Sequence, residues 1–89
     1  MLQVAMPNPF RLAVTLSFTL AQRGPEALSI YSVDGRRVRD LARGVREPGS
    51  FRLAWDGRDK SGELMPAGVY YARFVAGPVR TTRTLSYLR

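Results

Sequence analysis

The sequence predicts an all-β fold, a small antiparallel β-sandwich of six or seven short strands. Apolar and polar residues alternate with a period of two in segment after segment, and no window keeps a helical period. Glycine, proline and aspartate pairs separate these segments, as turns separate the strands of a sandwich. The chain has 89 residues, which is the length of one domain.

The first half of the chain predicts three of these strands. Residues 13–20 form the clearest one, and residues 27–33 and 36–41 form the next two, the last with Val38 and Leu41 as its apolar contacts. The apolar residues of the first strand occupy every second position: Val14, Leu16, Phe18 and Leu20. A turn at 22–26 precedes the second strand, and Asp34-Gly35 predicts a type I′ hairpin turn before the third.

The second half predicts three more strands, over residues 50–56, 68–76 and 80–88. A loop at 43–49 precedes the first of them. Leu85 and Leu88 are the predicted apolar anchors of the last strand. Arg80 and Arg83 make that strand polar, which is typical of a sheet edge protected against further pairing, and we expect Arg83 to face solvent. A functional alternative is that the strand is a contact site for a partner.

The polar, glycine-rich crossing between residues 55 and 71 is the most informative segment. Gly57 and Gly62 can adopt positive φ without steric cost, and the carboxylates of Asp56 and Asp59 can bond the backbone amides that follow. We expect Trp55 to be buried against strands 13–20 and 68–76. The residues that we assign to this structural motif are Trp55, Asp56, Gly57, Asp59, Gly62, Pro66, Gly68 and Tyr70.

The same segment does not predict catalysis or metal binding. Arg58 and Lys60 stand where a calcium loop would need oxygen ligands. The chain has no cysteine and no histidine, and Ser61 lies outside any nucleophile motif. We therefore predict a protein that is not an enzyme, with no catalytic residue, no metal and no cofactor.

The net charge of +7 raises the hypothesis of a basic nucleic-acid-binding domain. Thirteen of the 14 basic residues are arginine, and they are scattered along the chain, dense only between residues 36 and 46. We expect no specific nucleic-acid partner. Tyr70 and Tyr71 point to opposite faces of their strand, so one of them is a candidate contact residue.

Residues 1–10 are predicted to be a lead-in or linker from an upstream region, and residues 11–89 the sandwich. Pro7 and Pro9 exclude a regular helix or a central strand in the first segment, although residues 2–5 could pair as a seventh strand. The sequence contains no transmembrane segment and does not begin with a signal peptide. If the parent protein is exported, we expect its signal peptide upstream.

Three segments resemble a known family: Pro7-Asn8-Pro9-Phe10, residues 30–38, and the run from Trp55-Asp56-Gly57 through Gly62 to Pro66-Ala67-Gly68-Val69-Tyr70. They are similar to the immunoglobulin-like domain of the FlgD-type flagellar hook-capping protein and to the C-terminal sorting domains of bacterial type IX secretion. The resemblance covers about residues 7–88 and implies an immunoglobulin-like, fibronectin-like sandwich.

The resemblance also implies a function and a setting. The chain would be a non-catalytic C-terminal accessory module of a larger secreted or cell-surface bacterial protein, acting in sorting, anchoring or spacing. Its partners would be upstream domains of the same protein and secretion machinery or a surface component. The alternatives are a structural domain of a hook-capping scaffold and the nucleic-acid-binding domain considered above.

Overall fold

The alternating segments form six strands in the structure, which is a computed structural model that describes residue 2 and residues 6–88. The strands are β1 (Val14–Leu20), β2 (Gly24–Ser32), β3 (Arg37–Arg46), β4 (Gly49–Trp55), β5 (Gly68–Ala76) and β6 (Val79–Tyr87). They make two antiparallel sheets, a small sheet in the order β1-β4 and a large sheet in the order β3-β2-β5-β6. The all-β sandwich prediction is confirmed.

The core lies between the two sheets because each strand buries alternate residues. In the small sheet, Val14 pairs with Trp55, Leu16 with Leu53 and Phe18 with Phe51. Phe18 then meets Phe74 of the large sheet, with their ring centroids 4.8 Å apart. This face-to-face packing brings the apolar faces of both sheets out of water.

The hairpin of β2 and β3 is longer than predicted. The sequence predicted a turn at 22–26 and a loop at 43–49, but Gly24 pairs with Arg46 at the open end of the hairpin. Two register shifts, next to Ser29 and Tyr31, place extra residues in β3. The alternation of β3 is broken there, so its pattern does not identify it as a strand beyond Leu41.

The turn between β2 and β3 is at the predicted place but is of another type. The amide of Gly35 donates to the carbonyl of Ser32 at 3.0 Å, so Val33 and Asp34 are the central residues. Gly35 has φ +84°, whereas the φ of Asp34 is negative. The type I′ prediction is wrong. The hydrogen bonds fit a three-residue loop that ends in a left-handed glycine.

The N-terminal residues pack on the sandwich at its edge. Leu2 is fully buried and bridges to Phe18, and Met6 exchanges backbone hydrogen bonds with Thr15 at 3.0 and 2.8 Å. The seventh strand proposed for residues 2–5 falls mostly outside the described residues. Leu2 and Met6 lie where such a strand would pair with β1.

Candidate functional site

The crossing from β4 to β5 is anchored by an aromatic cluster at one end of the core, made of Phe10, Trp55, Tyr70 and Tyr87. The ring centroid of Trp55 lies 5.1 Å from that of Tyr70 and 5.7 Å from that of Phe10. Phe10 stacks on Tyr87 at 4.9 Å. Trp55 is fully buried, as the sequence predicted. Its ring lies against Tyr70 of β5, so it joins the small sheet to the large sheet at this end.

Polar atoms of the aromatic cluster hold the backbone of the crossing. The indole N–H of Trp55 donates to the carbonyl of Arg58 at 2.8 Å. The hydroxyl of Tyr70 donates to the carbonyl of Pro66 at 2.6 Å, four residues upstream. A tyrosine near the start of a strand that bonds upstream backbone is the arrangement called a tyrosine corner in immunoglobulin-like domains. This bond was not predicted from the sequence.

The carboxylates of the crossing bind its own backbone. Asp56 accepts from the amide of Arg58 at 3.1 Å and forms an ion pair with Arg39 at 3.0 Å. Asp59 accepts from the amides of Ser61 at 2.9 Å and Glu63 at 3.1 Å. Within residues 2 and 6–88, no three histidine, cysteine or acidic side chains come together to hold a metal ion.

The glycines of the crossing differ in what surrounds them. Gly57 has φ +78°, and a side-chain carbon there would lie 2.7 Å from the ring and the hydroxyl of Tyr87. Gly62 has φ +89° with open space around it. Gly68 begins β5 opposite Tyr87. Gly57 is thus required by packing as well as by backbone geometry, and Gly62 by geometry alone.

We expect Asp56→Ala to lower the free energy of unfolding by about 1–2 kcal/mol, because the amide of Arg58 loses its acceptor. The loss should be the same with and without calcium, since the carboxylate serves backbone and Arg39. Thermal unfolding with calcium or with chelator measures both effects, and Asp56→Asn is the control that keeps an acceptor. A calcium-dependent rise in melting temperature that Asp56→Ala abolishes would show a metal site instead.

The segment before β1 forms a clasp on β6, made of residues 8–10 on residues 84–88. The side-chain amide of Asn8 donates to the carbonyl of Thr84 and accepts from the amide of Ser86, both at 2.9 Å. Phe10 continues the pairing, with its amide bonded to Ser86 at 2.9 Å and its carbonyl to Leu88 at 2.8 Å. Residues 8–10 therefore pack as part of the sandwich rather than apart from it.

The last strand is an edge of the large sheet, but two of its residues differ from prediction. Leu88 is 40% exposed, and the buried anchors are Leu85 and Tyr87. Residues three apart in a strand face opposite sides, whereas residues two apart share one. Arg83 was expected to face solvent; it points inward with Leu85, and its guanidinium donates to the carbonyl of Leu2 at 3.2 Å. Arg80 is exposed.

Several arginines form ion pairs within the domain. Arg46 is paired at 2.8 Å with Glu26, whose side chain is 1% exposed, and lies 4.7 Å from the ring centre of Phe51. The exposed pairs among the described residues are Arg23 with Glu47, Arg39 and Arg58 with Asp56, and Arg37 and Arg43 with Asp40. These contacts give the paired arginines structural roles within the fold.

Two carboxylates have a pKa below the usual value: Asp34 in the hairpin turn and Asp40 on the edge strand β3. A hydrogen bond from the hydroxyl of Ser29, 2.5 Å away, lowers the pKa of Asp40, and Arg43 and Arg37 lower it further. The hydroxyl of Ser32 and the amide of Arg36 lower the pKa of Asp34 in the hairpin turn. Both groups are ionised acceptors at neutral pH, with structural roles.

A two-sheet antiparallel sandwich with a tyrosine corner is characteristic of immunoglobulin-like domains. The family model of the FlgD Ig-like domain matches residues 11–77, and the chain belongs to that family. The resemblance seen in the sequence is confirmed. The family match ends before β6, so the clasp lies outside it.

Two solved structures from Porphyromonas gingivalis share this fold. One is a dimeric latent PorU, with a TM-score of 0.73 and 20% identity, in which the similarity covers 96% of this chain and 9% of that one. The other is PorZ, described as an essential bacterial surface component of the type IX secretion system, with a TM-score of 0.65, 21% identity and coverage of 97% and 11%. The chain thus spans about a tenth of either neighbour. No curated protein matches it significantly.

Proposed function

We propose that the chain is a non-catalytic accessory module of a larger secreted or cell-surface bacterial protein, acting in sorting, anchoring or spacing. The observation that supports this most is the coverage of the structural neighbours. Nearly the whole chain aligns with about a tenth of PorU and of PorZ, so the same fold occurs as one small part of much longer chains. PorZ is itself a surface component of type IX secretion.

The placement of polar groups supports a module without catalysis. Asp56 and Asp59 of the crossing accept hydrogen bonds from its backbone amides, and the tyrosines of the aromatic cluster are buried in the core. Within residues 2 and 6–88, no helix is long and apolar enough to cross a membrane. We place the module outside the cell or on its surface, with residues 11–89 as the sandwich, residues 8–10 clasped to β6, and upstream domains joined through the N-terminal segment.

A reporter fused upstream of residues 1–89 and expressed in the native host tests the proposal. We expect the fusion to be delivered to, or kept at, the cell surface, and the reporter without the domain to be lost from it. Arg80→Glu probes recognition of β6 by a receptor. Arg80 is exposed, so we expect its replacement to change the stability of the domain little. Arg83→Glu is unsuitable, since it would also break the bond to Leu2.

Equal delivery with and without the domain would exclude sorting and anchoring and leave spacing. The family match favours one second candidate, a structural domain of a hook-capping scaffold, whose partners would be identical subunits. Sedimentation of a purified parent protein distinguishes the two, because a scaffold self-associates and a sorting module need not.

A further inference from the structure

The outer face of the large sheet carries a tyrosine pair at its centre. Tyr31 of β2 and Tyr71 of β5 are direct cross-strand partners, and both are half-buried. Together with Arg73 and Thr82 they line a shallow open cavity of about 300 Å³. Of the two tyrosines that the sequence left as alternatives for a contact residue, Tyr70 is buried and Tyr71 lies on this outer face, with Tyr31 beside it.

Arginines surround this pair on three strands. Arg37 of β3 pairs with Tyr31. Arg73 of β5 pairs with Thr82, and Arg80 of β6 pairs with Val75. Arg37 and Arg43 share Asp40, at 3.8 and 3.3 Å. Arg73 and Arg80 are exposed, and the ion pairs of the described residues include neither of them. The face therefore has an excess of positive charge that the fold leaves uncompensated.

We propose that this outer face, centred on Tyr31 and Tyr71 and flanked by Arg73 and Arg80, is a docking surface for an acidic protein segment. Tyrosine and arginine are enriched among the residues that dominate binding at protein interfaces. Tyrosine buries a large area with few rotatable bonds, and arginine offers several hydrogen-bond donors on one planar group. The arginine fork binds carboxylates in two-point contacts. Carboxylates therefore carry the complementary negative charge on the partner.

A carboxylate on the face itself favours protein over nucleic acid as the partner. Asp40 lies on β3, held by Ser29, Arg37 and Arg43, where it would repel a continuous phosphate backbone. A protein segment can place a basic or neutral residue opposite it. This inference deepens the proposed function and rests on it, since a sorting or anchoring module needs a surface that its partner recognises.

The test uses the 89-residue chain and a random copolymer of glutamate and tyrosine as the acidic probe. Fluorescence anisotropy at about 50 mM salt measures binding by the wild type, by Arg73→Glu and by Tyr71→Thr. Arg52→Glu is the matched control, because Arg52 is an exposed strand arginine of the small sheet, and its reversal changes the net charge equally. A poly-dT strand of equal charge is the competing probe.

We expect Arg73→Glu to weaken copolymer binding at least tenfold, Tyr71→Thr to weaken it several-fold, and Arg52→Glu to change it less than twofold. Circular dichroism should show all variants folded. Absence of copolymer binding, or equal losses from Arg52→Glu and Arg73→Glu, overturns the docking surface. Tighter binding of poly-dT than of copolymer, lost on Arg73→Glu, overturns it in favour of nucleic acid.

The reporter experiment tests the proposed function, and the binding assay tests the docking surface, so the two claims can fail separately. If the reporter reaches the surface without the domain, sorting and anchoring fail and only spacing is left, whatever the copolymer does. If the domain is needed for delivery but Arg73→Glu and Arg52→Glu bind copolymer equally, the function stands and the docking surface fails.

Discussion

Replacing Trp55 with alanine is expected to lower the free energy of unfolding by about 3–5 kcal/mol, which is the usual cost of removing a buried tryptophan. The indole is fully buried among Phe10, Tyr70 and Tyr87, and its loss also leaves the carbonyl of Arg58 without a donor. Small domains have little stability to lose, so the variant should be largely unfolded at 25 °C. Urea denaturation followed by circular dichroism measures the change.

Leu12→Ala is the control for this substitution, because Leu12 is 87% exposed and should change stability by less than about 0.5 kcal/mol. Trp55 is the single tryptophan, so the fluorescence of the wild type reports on it alone. Its emission should be blue-shifted in the folded protein and move to the red in urea. A water-exposed spectrum before urea is added would contradict the burial.

The second large effect is expected at Gly57. Alanine at a positive φ costs roughly 1–2 kcal/mol, and this cost applies at Gly62 as well. At Gly57 the new methyl group would also meet the buried ring of Tyr87 at 2.7 Å, and such overpacking adds about 1–3 kcal/mol. Gly57→Ala should therefore destabilise the domain clearly more than Gly62→Ala in paired urea titrations.

A double-mutant cycle separates the clash from the backbone strain. In a Tyr87→Val background the ring is gone, so Gly57→Ala should cost no more than Gly62→Ala does. If both glycines tolerate alanine equally in the wild type, the approach of Tyr87 to the crossing is not as close as described.

The sequence predicted the fold well where burial alternates along one strand. Residues 14–20 and 68–76 alternate cleanly, and the structure has them as strands. The turn chemistry of Asp56 and Asp59 was also visible, because these residues bond amides two to four positions away. Local patterns of this kind require no knowledge of distant partners.

The sequence predicted less where contacts join distant residues. Asn8 and Ser86 are 78 positions apart, so the Pro7-Asn8-Pro9-Phe10 segment was expected to be a lead-in, not a clasp. Leu88 was predicted as an apolar anchor of β6, but residues that share a strand face are two apart, so Tyr87 is the residue on the same face as Leu85. The inward direction of Arg83 follows from the same count, but its partner, the carbonyl of Leu2, does not.

The clasp also determines how the domain would carry a mechanical load. The chain at Phe10 runs parallel to β6 at Tyr87. The hydrogen bonds of Asn8 and Phe10 to residues 84–88 lie side by side along this pairing. A pull on the chain before residue 8, with β6 held by a partner, acts along these two segments in opposite directions. The bonds then share the force in shear and must break together, whereas a peeling force would open them one at a time. If the module anchors a larger protein, as proposed above, the clasp resists a pull from that protein with all of its bonds at once.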